Sequence, residues 1–301
     1  MKVLRVKPIM SVEESDLLAG KYLSDTDCKR VVSEDCDLYD AESGKLLAKL
    51  RKGVIPGLIQ SIAYENFLPA ATPTDSRPTA GGKDSNEKNA SGFRVKKDGK
   101  VSRQTIAKEF VNSGVAGYYD RSPRFPNCRL TAFNRHHLDK FKNAYPIIKL
   151  VDSYYKKLVP KEYKMQRELA DRTAQDFVIP DTAFTTITVN KNYRTAVHKD
   201  SGDFKDGFGN LVALRKGTYT GCYLTLPRWG VGFDLQNGDL LLMDVHQWHG
   251  NTPMVLDDKR AVRLSLVMYY RENMIHCGSM KQELEKVKSR KKGTPLKKDS
   301  V

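Results

Sequence analysis

The chain has 301 residues, with 51 Lys plus Arg against 36 Asp plus Glu and a formal charge of +15. That length can bury a full core, as one large domain or a domain with additions, and the charge favours an anionic partner without requiring one. No apolar run approaches membrane-spanning length and residues 1–10 lack the apolar block of a signal peptide, while five dispersed cysteines (Cys28, Cys36, Cys128, Cys222, Cys277) have no CxxC spacing. These features argue against a membrane protein, a zinc knuckle or a disulfide scaffold. An intracellular protein of nucleus or cytoplasm, acting as a monomer in a reducing compartment, is the expectation.

Taken in order, Val3, Leu4 and Val6 alternate, and Ser11 or Ser15 can cap a short helix. Cys36–Leu50 reads as a hairpin turning at Glu42-Ser43-Gly44, and a short helix is predicted from Leu58 to Phe67 after the stop at Pro56-Gly57. Residues 69–104 are rich in Pro, Thr, Gly, Asn, Ser and Lys. So long an insertion is either disordered or a substrate-facing lid. Residues 117–135 mix aromatics, arginines and prolines, as a groove lining would.

Phe141, Tyr145, Ile148, Val151 and Tyr155 recur at helical spacing, with Pro146 placed to kink or divide the helix. A second helix follows Pro160, with Met165, Leu169 and Ala174 on one side. The adjacent His136 and His137 point about 100° apart on a helix and are read as surface or cap residues. Short strands then follow: Phe184–Asn190, Leu211–Leu214, Gly221–Leu226, Leu240–Met243 and Val262–Met268. This order fits an α+β fold, a double-stranded β-helix (jelly roll) core buttressed by helices. One domain over 1–278 is expected, carrying the 69–104 insertion. A basic, flexible tail over 279–301 would follow, either touching phosphates or only solubilising the end.

The chemistry concentrates between His198 and Tyr270. On a strand, residues i and i+2 face the same way, so His198 and Asp200 can bind one ion. A second histidine must come from the excursion after Met243, where Gly250 allows a close backbone approach beside His249. His249 is therefore preferred as the third ligand, and His246 is cast as a neighbour of the metal or substrate. Two imidazoles and a carboxylate suit Fe(II) with positions left open, although a zinc hydrolase could use the same set. Arg263 shares a strand face with Ser265 and Val267, opposite Leu264, Leu266 and Met268. A guanidinium aimed into an apolar barrel needs an acid, and Ser265 could add a hydrogen bond. Arg260, after Asp257-Asp258-Lys259, is the weaker rival.

The runs His198-Lys-Asp, Gly238-Asp239-Leu-Leu-Leu-Met, His249-Gly250-Asn251 and Arg263-Leu-Ser265-Leu-Val resemble the Fe(II)/2-oxoglutarate dioxygenase superfamily. Within it the text is similar to the TET/JBP branch, particularly algal and viral members that oxidise 5-methylpyrimidines in DNA. The resemblance implies Fe(II) on His198, Asp200 and His249, with 2-oxoglutarate anchored by Arg263 and Ser265. O2 would be the co-reactant and DNA containing a methylated pyrimidine the partner, with 5-methylcytosine preferred over thymine. A hydroxylase of a protein or small metabolite is the alternative within enzymes, and a basic nucleic-acid binder the alternative outside them.

A base in duplex DNA would have to be flipped out to reach an enclosed metal. Tyr118, Tyr119, Phe133, Tyr193 and Trp248 are candidates to stack on it. Arg94, Lys96, Lys97, Arg121, Arg124, Arg129 and Arg135 are candidates to hold phosphates, and Asp234 or His246 to read a base edge.

Overall fold

The computed structural model describes residues 2–82, 93–95, 101–105, 110–122 and 125–289, without the side chains of 93–95 and 101–105. A long mixed sheet runs in the order Lys2–Val6, Cys36–Asp40, Leu46–Arg51, Leu240–Met243, Gly209–Lys216, Val262–Tyr269, Thr186–Lys191, Val111–Tyr119 and Pro73–Thr74. A smaller sheet, Gly250–Asn251, Leu224–Leu226, Val231–Phe233 and Arg30–Val32, faces it. This is the α+β double-stranded β-helix architecture with helices on its outer side.

Strand alternation assigns each side chain to one of two cores. Val212, Leu214, Leu240, Leu242, Leu264, Leu266 and Met268 pack outward with Phe141, Ile148, Val151 and Tyr155 of the helices. From the same strands, Ala213, Leu241 and Met243 turn inward against Leu224, Leu226, Val231 and Phe233 of the smaller sheet. The Val262–Tyr269 strand is thereby fixed with Arg263, Ser265, Val267 and Tyr269 on the inner side, lining a cavity. A one-residue slip would bury the guanidinium in the helix-facing core, so the register is strongly specified.

The helical segments follow local chemistry. Ser11 caps Val12–Asp16, Gly57–Phe67 follows Pro56, and the chain divides at Ala144, where Pro146 opens Tyr145–Leu158. In Pro160–Arg172 the fully buried residues are Tyr163, Gln166 and Ala170, while Leu169 and Ala174 of the expected face pack partly buried against the Phe177–Tyr270 cluster. Gln166 is interior because its amide donates to the Ala183 carbonyl at 2.7 Å, a polar role that apolar periodicity cannot reveal.

Two expectations are corrected. The basic segment after residue 279 does not begin as a flexible tail, because Met280–Ser289 is a helix. It is docked by Glu283, whose carboxylate accepts from the backbone N–H groups of Cys128 and Gly278, each at 2.8 Å, and from Arg121 and Lys286. Residues 290–301 lie outside the described residues. The dispersed cysteines include one bonded pair, Cys128–Cys277, with Cα atoms 5.8 Å apart across a sequence separation of 149. Spacing motifs report only local partners, so this pair left no signal in the sequence.

Candidate metal centre

The chain approaches the centre through two extended segments rather than a strand end. His198 and His249 exchange backbone hydrogen bonds at 2.9 and 3.0 Å, and the Asp200 N–H donates to the Val245 carbonyl at 3.1 Å. Thr195 Oγ1 donates to Asn251 Oδ1 at 2.7 Å and fixes the same pairing. Gly250 lets the two backbones approach closely: a Cβ on it would stand 3.0 Å from the Val197 nitrogen and 3.2 Å from the Ala196 carbonyl carbon.

The ligand-type atoms of His198, Asp200 and His249 all lie within 4.8 Å of one another. His198 Nε2 is 3.5 Å from Asp200 Oδ1, and the imidazole centroids are 4.3 Å apart. Nδ1 of His198 faces the Ala196 carbonyl at 2.8 Å, and Nδ1 of His249 faces the Gln247 carbonyl at 2.9 Å. Those carbonyls select the tautomer with the proton on Nδ1, which leaves Nε2 as the donor toward a metal. Burial, and then the neighbouring His198 ring, lower the His249 pKa to about 4, so that imidazole is neutral near pH 7. Burial alone would raise the Asp200 carboxyl, yet the hydrogen bond with His198 and the two imidazoles hold it at about 2. The His198 and His249 imidazoles, the latter neutral, and an ionised Asp200 carboxylate are a donor set suited to Fe(II).

Arg263 opens into the same cavity, which has a volume of about 270 Å³ and is lined also by Tyr193, Ser265 and Tyr269. Only 3% of Arg263 is exposed, and its Nε has no hydrogen-bond partner among the described residues. Its guanidinium carbon lies 5.9 Å from the Tyr219 ring centroid, and no carboxylate among the described residues forms an ion pair with it. Burial opposes its charge, but Cys222 and Tyr219 tip the balance and its pKa stays above the usual arginine value. The Tyr193 hydroxyl is likewise buried without a partner. A buried guanidinium without an acid partner and an unpartnered hydroxyl in one small cavity fit an acid such as 2-oxoglutarate. Arg260 instead bonds Asp258 in solvent, its side chain 92% exposed.

The other candidates disperse. His246 turns its Nε2 toward the Phe204 carbonyl at 3.2 Å and is absent from the cavity wall. Asp234 accepts from Gln236 and also stands away from the cavity. Tyr118 packs edge-on against Phe177 in a core cluster. Arg129 is held over the Tyr119 and Phe125 rings at 4.9 and 4.3 Å, and Arg121 bonds the His276 carbonyl and Glu283. Trp248 donates to Asp16, with Lys199 over its ring. Arg135 is exposed. Lys96, Lys97, Arg124 and the side chain of Arg94 lie outside the described residues.

Sequence reasoning missed four residues beside the metal cavity. Tyr269 and Arg271 continue the two-residue alternation of Arg263, Ser265 and Val267, so one more step along the pattern would have found them. Asp203 and Arg77 carry no such signal. Asp203 forms a backbone bridge with Arg271, and burial, followed by the charge of Asp200, raises its pKa well above the usual carboxylate range. Arg77 comes from the described part of the long insertion, whose residues 76–80 wall the cavity and are tied in by Ala196 N–H donating to the Ala80 carbonyl.

Comparison with known proteins identifies the family and the fold. The profile of Tet_JBP, described as the oxygenase domain of the 2OGFeDO superfamily, matches residues 114–272. Thymine dioxygenase JBP1 of Trypanosoma brucei brucei is 39% identical over 170 residues, 53% of this chain and 19% of that protein. The bifunctional helicase and thymine dioxygenase JBP2 of the same organism is 32% identical over 287 residues, 93% of this chain and 24% of the relative. The chain thus spans about a fifth to a quarter of the length of these relatives. Among solved structures, NgTET1 in complex with 5mC DNA has a TM-score of 0.55 at 17% identity, over 86% of each chain, and shares the fold.

Proposed function

Because the chain belongs to the Tet_JBP family of 2-oxoglutarate- and Fe(II)-dependent oxygenase domains, we propose that it oxidises the methyl group of a 5-methylpyrimidine in DNA, and that thymine is the base. The observation that carries the reading is the cavity itself. One small space holds a His-Asp-His set with ligand atoms within 4.8 Å of one another and a buried arginine lacking an acid. Sequence alone favoured 5-methylcytosine over thymine. The 39% and 32% identical relatives are named thymine dioxygenases, whereas the neighbour with 5mC DNA, at 17% identity, speaks for the fold only.

In this reading His198, Asp200 and His249 hold the metal through Nε2, a carboxylate oxygen and Nε2. Bound Fe(II) with 2-oxoglutarate and O2 supplies the oxidant for a methyl C–H bond, and the co-substrate leaves as succinate and CO2. Arg263 meets the far carboxylate of the acid, and the Ser265 and Tyr193 hydroxyls offer it further hydrogen bonds. The carbonyls of Ala196 and Gln247 keep both imidazoles in the ligating tautomer. The 76–80 segment narrows the approach and helps exclude water. A stacked base cannot reach so enclosed a centre, so the target nucleotide must leave the helix.

The test offers anaerobically Fe(II)-loaded protein, then 2-oxoglutarate and O2, to matched DNAs containing thymine, 5-methylcytosine or cytosine. Mass spectrometry of the digested nucleosides should find hydroxymethyluracil from thymine, with succinate formed in step. Product from 5-methylcytosine alone would replace the base assignment. No product from any DNA would remove DNA as the substrate.

A further inference from the structure

Beside the metal cavity lies a second one, of about 570 Å³, walled by Thr72, Thr74, Ser113, Tyr119, Phe133 and His137. The two cavities share Ser76, Arg77, Tyr269 and Arg271 as a common partition. The second is within the size range of small-molecule sites and mixes aromatic with hydroxyl groups. The proposed reaction gives it no task.

The partition carries two guanidinium groups, each fixed through Nε. Arg77 Nε donates to Ser113 Oγ at 3.1 Å, and that hydroxyl donates to Asn190 Oδ1 at 2.6 Å. Arg271 Nε donates to Asp120 Oδ1 at 2.8 Å. Among the described residues, neither arginine's terminal nitrogens form a hydrogen bond, and Arg77 forms no ion pair with a carboxylate. A guanidinium anchored on its Nε side by a neutral hydroxyl keeps a full charge and a two-pronged donor edge for something else. Arg271 is in direct ion-pair contact with Asp120, whereas Arg77 feels Asp200 and Asp203 only through space, so Arg77 has the freer donor edge for an anion.

We propose that Arg77, assisted by Arg271, binds a phosphodiester of the DNA strand next to the reacting nucleotide, with the adjoining sugar and base seated in the second cavity. This rests on DNA being the substrate. Its logic is positional: a base placed at the metal must trail its backbone out of the metal cavity, and the Arg77–Arg271 partition joins that cavity to an adjacent space with aromatic walls. Tyr119, with Arg129 over its ring, and the largely buried Phe133 line that space, which gives a neighbouring base an apolar, aromatic wall. Arg77 thus fixes the position of the strand while the metal cavity selects the base.

The experiment measures binding rather than turnover. Fluorescence anisotropy under anaerobic conditions gives the Kd of the Fe(II)-loaded protein for short thymine-containing strands, in which one phosphodiester at a time is replaced by an uncharged methylphosphonate. Wild type should lose about tenfold in affinity at one position adjoining the target. Arg77→Gln should lose that sensitivity while keeping the response to every other position, and its slope of log affinity against log salt should fall by about one. Arg77→Lys, which keeps the charge without the fork, should lie between, and it serves if the glutamine variant melts below wild type. Equal sensitivity of wild type and Arg77→Gln at every position would overturn the subsite and leave DNA as substrate standing. Absence of DNA binding by wild type would overturn both readings.

Discussion

Replacing Arg263 separates its role as an acid receptor from a role in packing. The guanidinium is 3% exposed and its Nε lacks a partner among the described residues, so without co-substrate it is a desolvated charge with incomplete compensation. Removing such a cation should not weaken the free protein, and Arg263→Met should unfold at or above the wild-type temperature. Truncating one partner of a buried charge pair costs about 2–5 kcal/mol, so the Kd for 2-oxoglutarate should rise by about thirtyfold or more. The consequence can be read by thermal unfolding with Fe(II) under argon. Co-substrate at about a hundred times the wild-type Kd stabilises wild type by about 2.7 kcal/mol, or roughly 5 °C for a domain of this size. After a thirtyfold loss of affinity, the same concentration stabilises the variant by under about 1 kcal/mol. Arg263→Lys should fall between, because it keeps the charge and loses the fork. A variant that melts earlier yet keeps the full shift with 2-oxoglutarate would refute the reasoning and assign the guanidinium to holding Tyr219 and Cys222.

Other substitutions test the scaffold around the centre. Asp200→Asn should reduce bound Fe(II), assayed by metal analysis after desalting, by at least about tenfold, the low end expected even for outer partners of a metal ligand; full retention would exclude the carboxylate as a ligand. Gly250→Ala brings a methyl to 3.0 Å from the Val197 nitrogen, so it should part the paired backbones carrying His198 and His249 and weaken Fe(II) binding, with the loss of fold, followed by circular dichroism, smaller than the loss of metal. Leu266→Ala empties part of the helix-facing core where the side chain is fully buried, and denaturant unfolding should lose about 2–5 kcal/mol. For Glu283, burial works against the charge, but Lys286, the Gly278 and Cys128 N–H groups and Arg121 outweigh it and lower the pKa from 4.5 to about 2. A depressed folded-state pKa stabilises above the unfolded value and is lost as pH falls, so docking of Met280–Ser289 should weaken between about pH 4.5 and 2. Glu283→Gln should flatten that dependence in a limited-proteolysis profile, and an unchanged profile would remove Glu283 as the anchor.

How much could be read from the chain follows the range of the physics involved. The inner face of Val262–Tyr269 was legible because side-chain direction on a strand repeats every two residues, and three apolar neighbours on the opposite face made the register unambiguous. His249 was separable from His246 because Gly250 reports a close backbone contact, and the structure supplies that contact at Val197. The division of the helix near residue 144 was legible in the same way, since Pro146 lacks an N–H. In each case a local rule had one geometric solution.

The substrate side was not legible because it depends on pairings that no local rule encodes. Arg121 and Arg129 looked like phosphate-binding residues, yet their partners are Glu283, 162 positions away, and the rings of Tyr119 and Phe125. Composition counts such arginines as available charge, but the fold satisfies them internally. Arg77 was passed over because it stood in a polar insertion without periodicity, and its importance comes from Ser113, 36 positions on, which occupies its Nε with a neutral acceptor. The same distinction explains Arg263. What marks a functional arginine in this protein is the lack of an acid once folding has brought every described side chain into place, and that can be judged only after the long-range partners are known. The net charge of +15 raises the chance of an anionic ligand, and Arg263 and Arg77, neither in a direct ion pair among the described residues, are where the proposed ligands would sit.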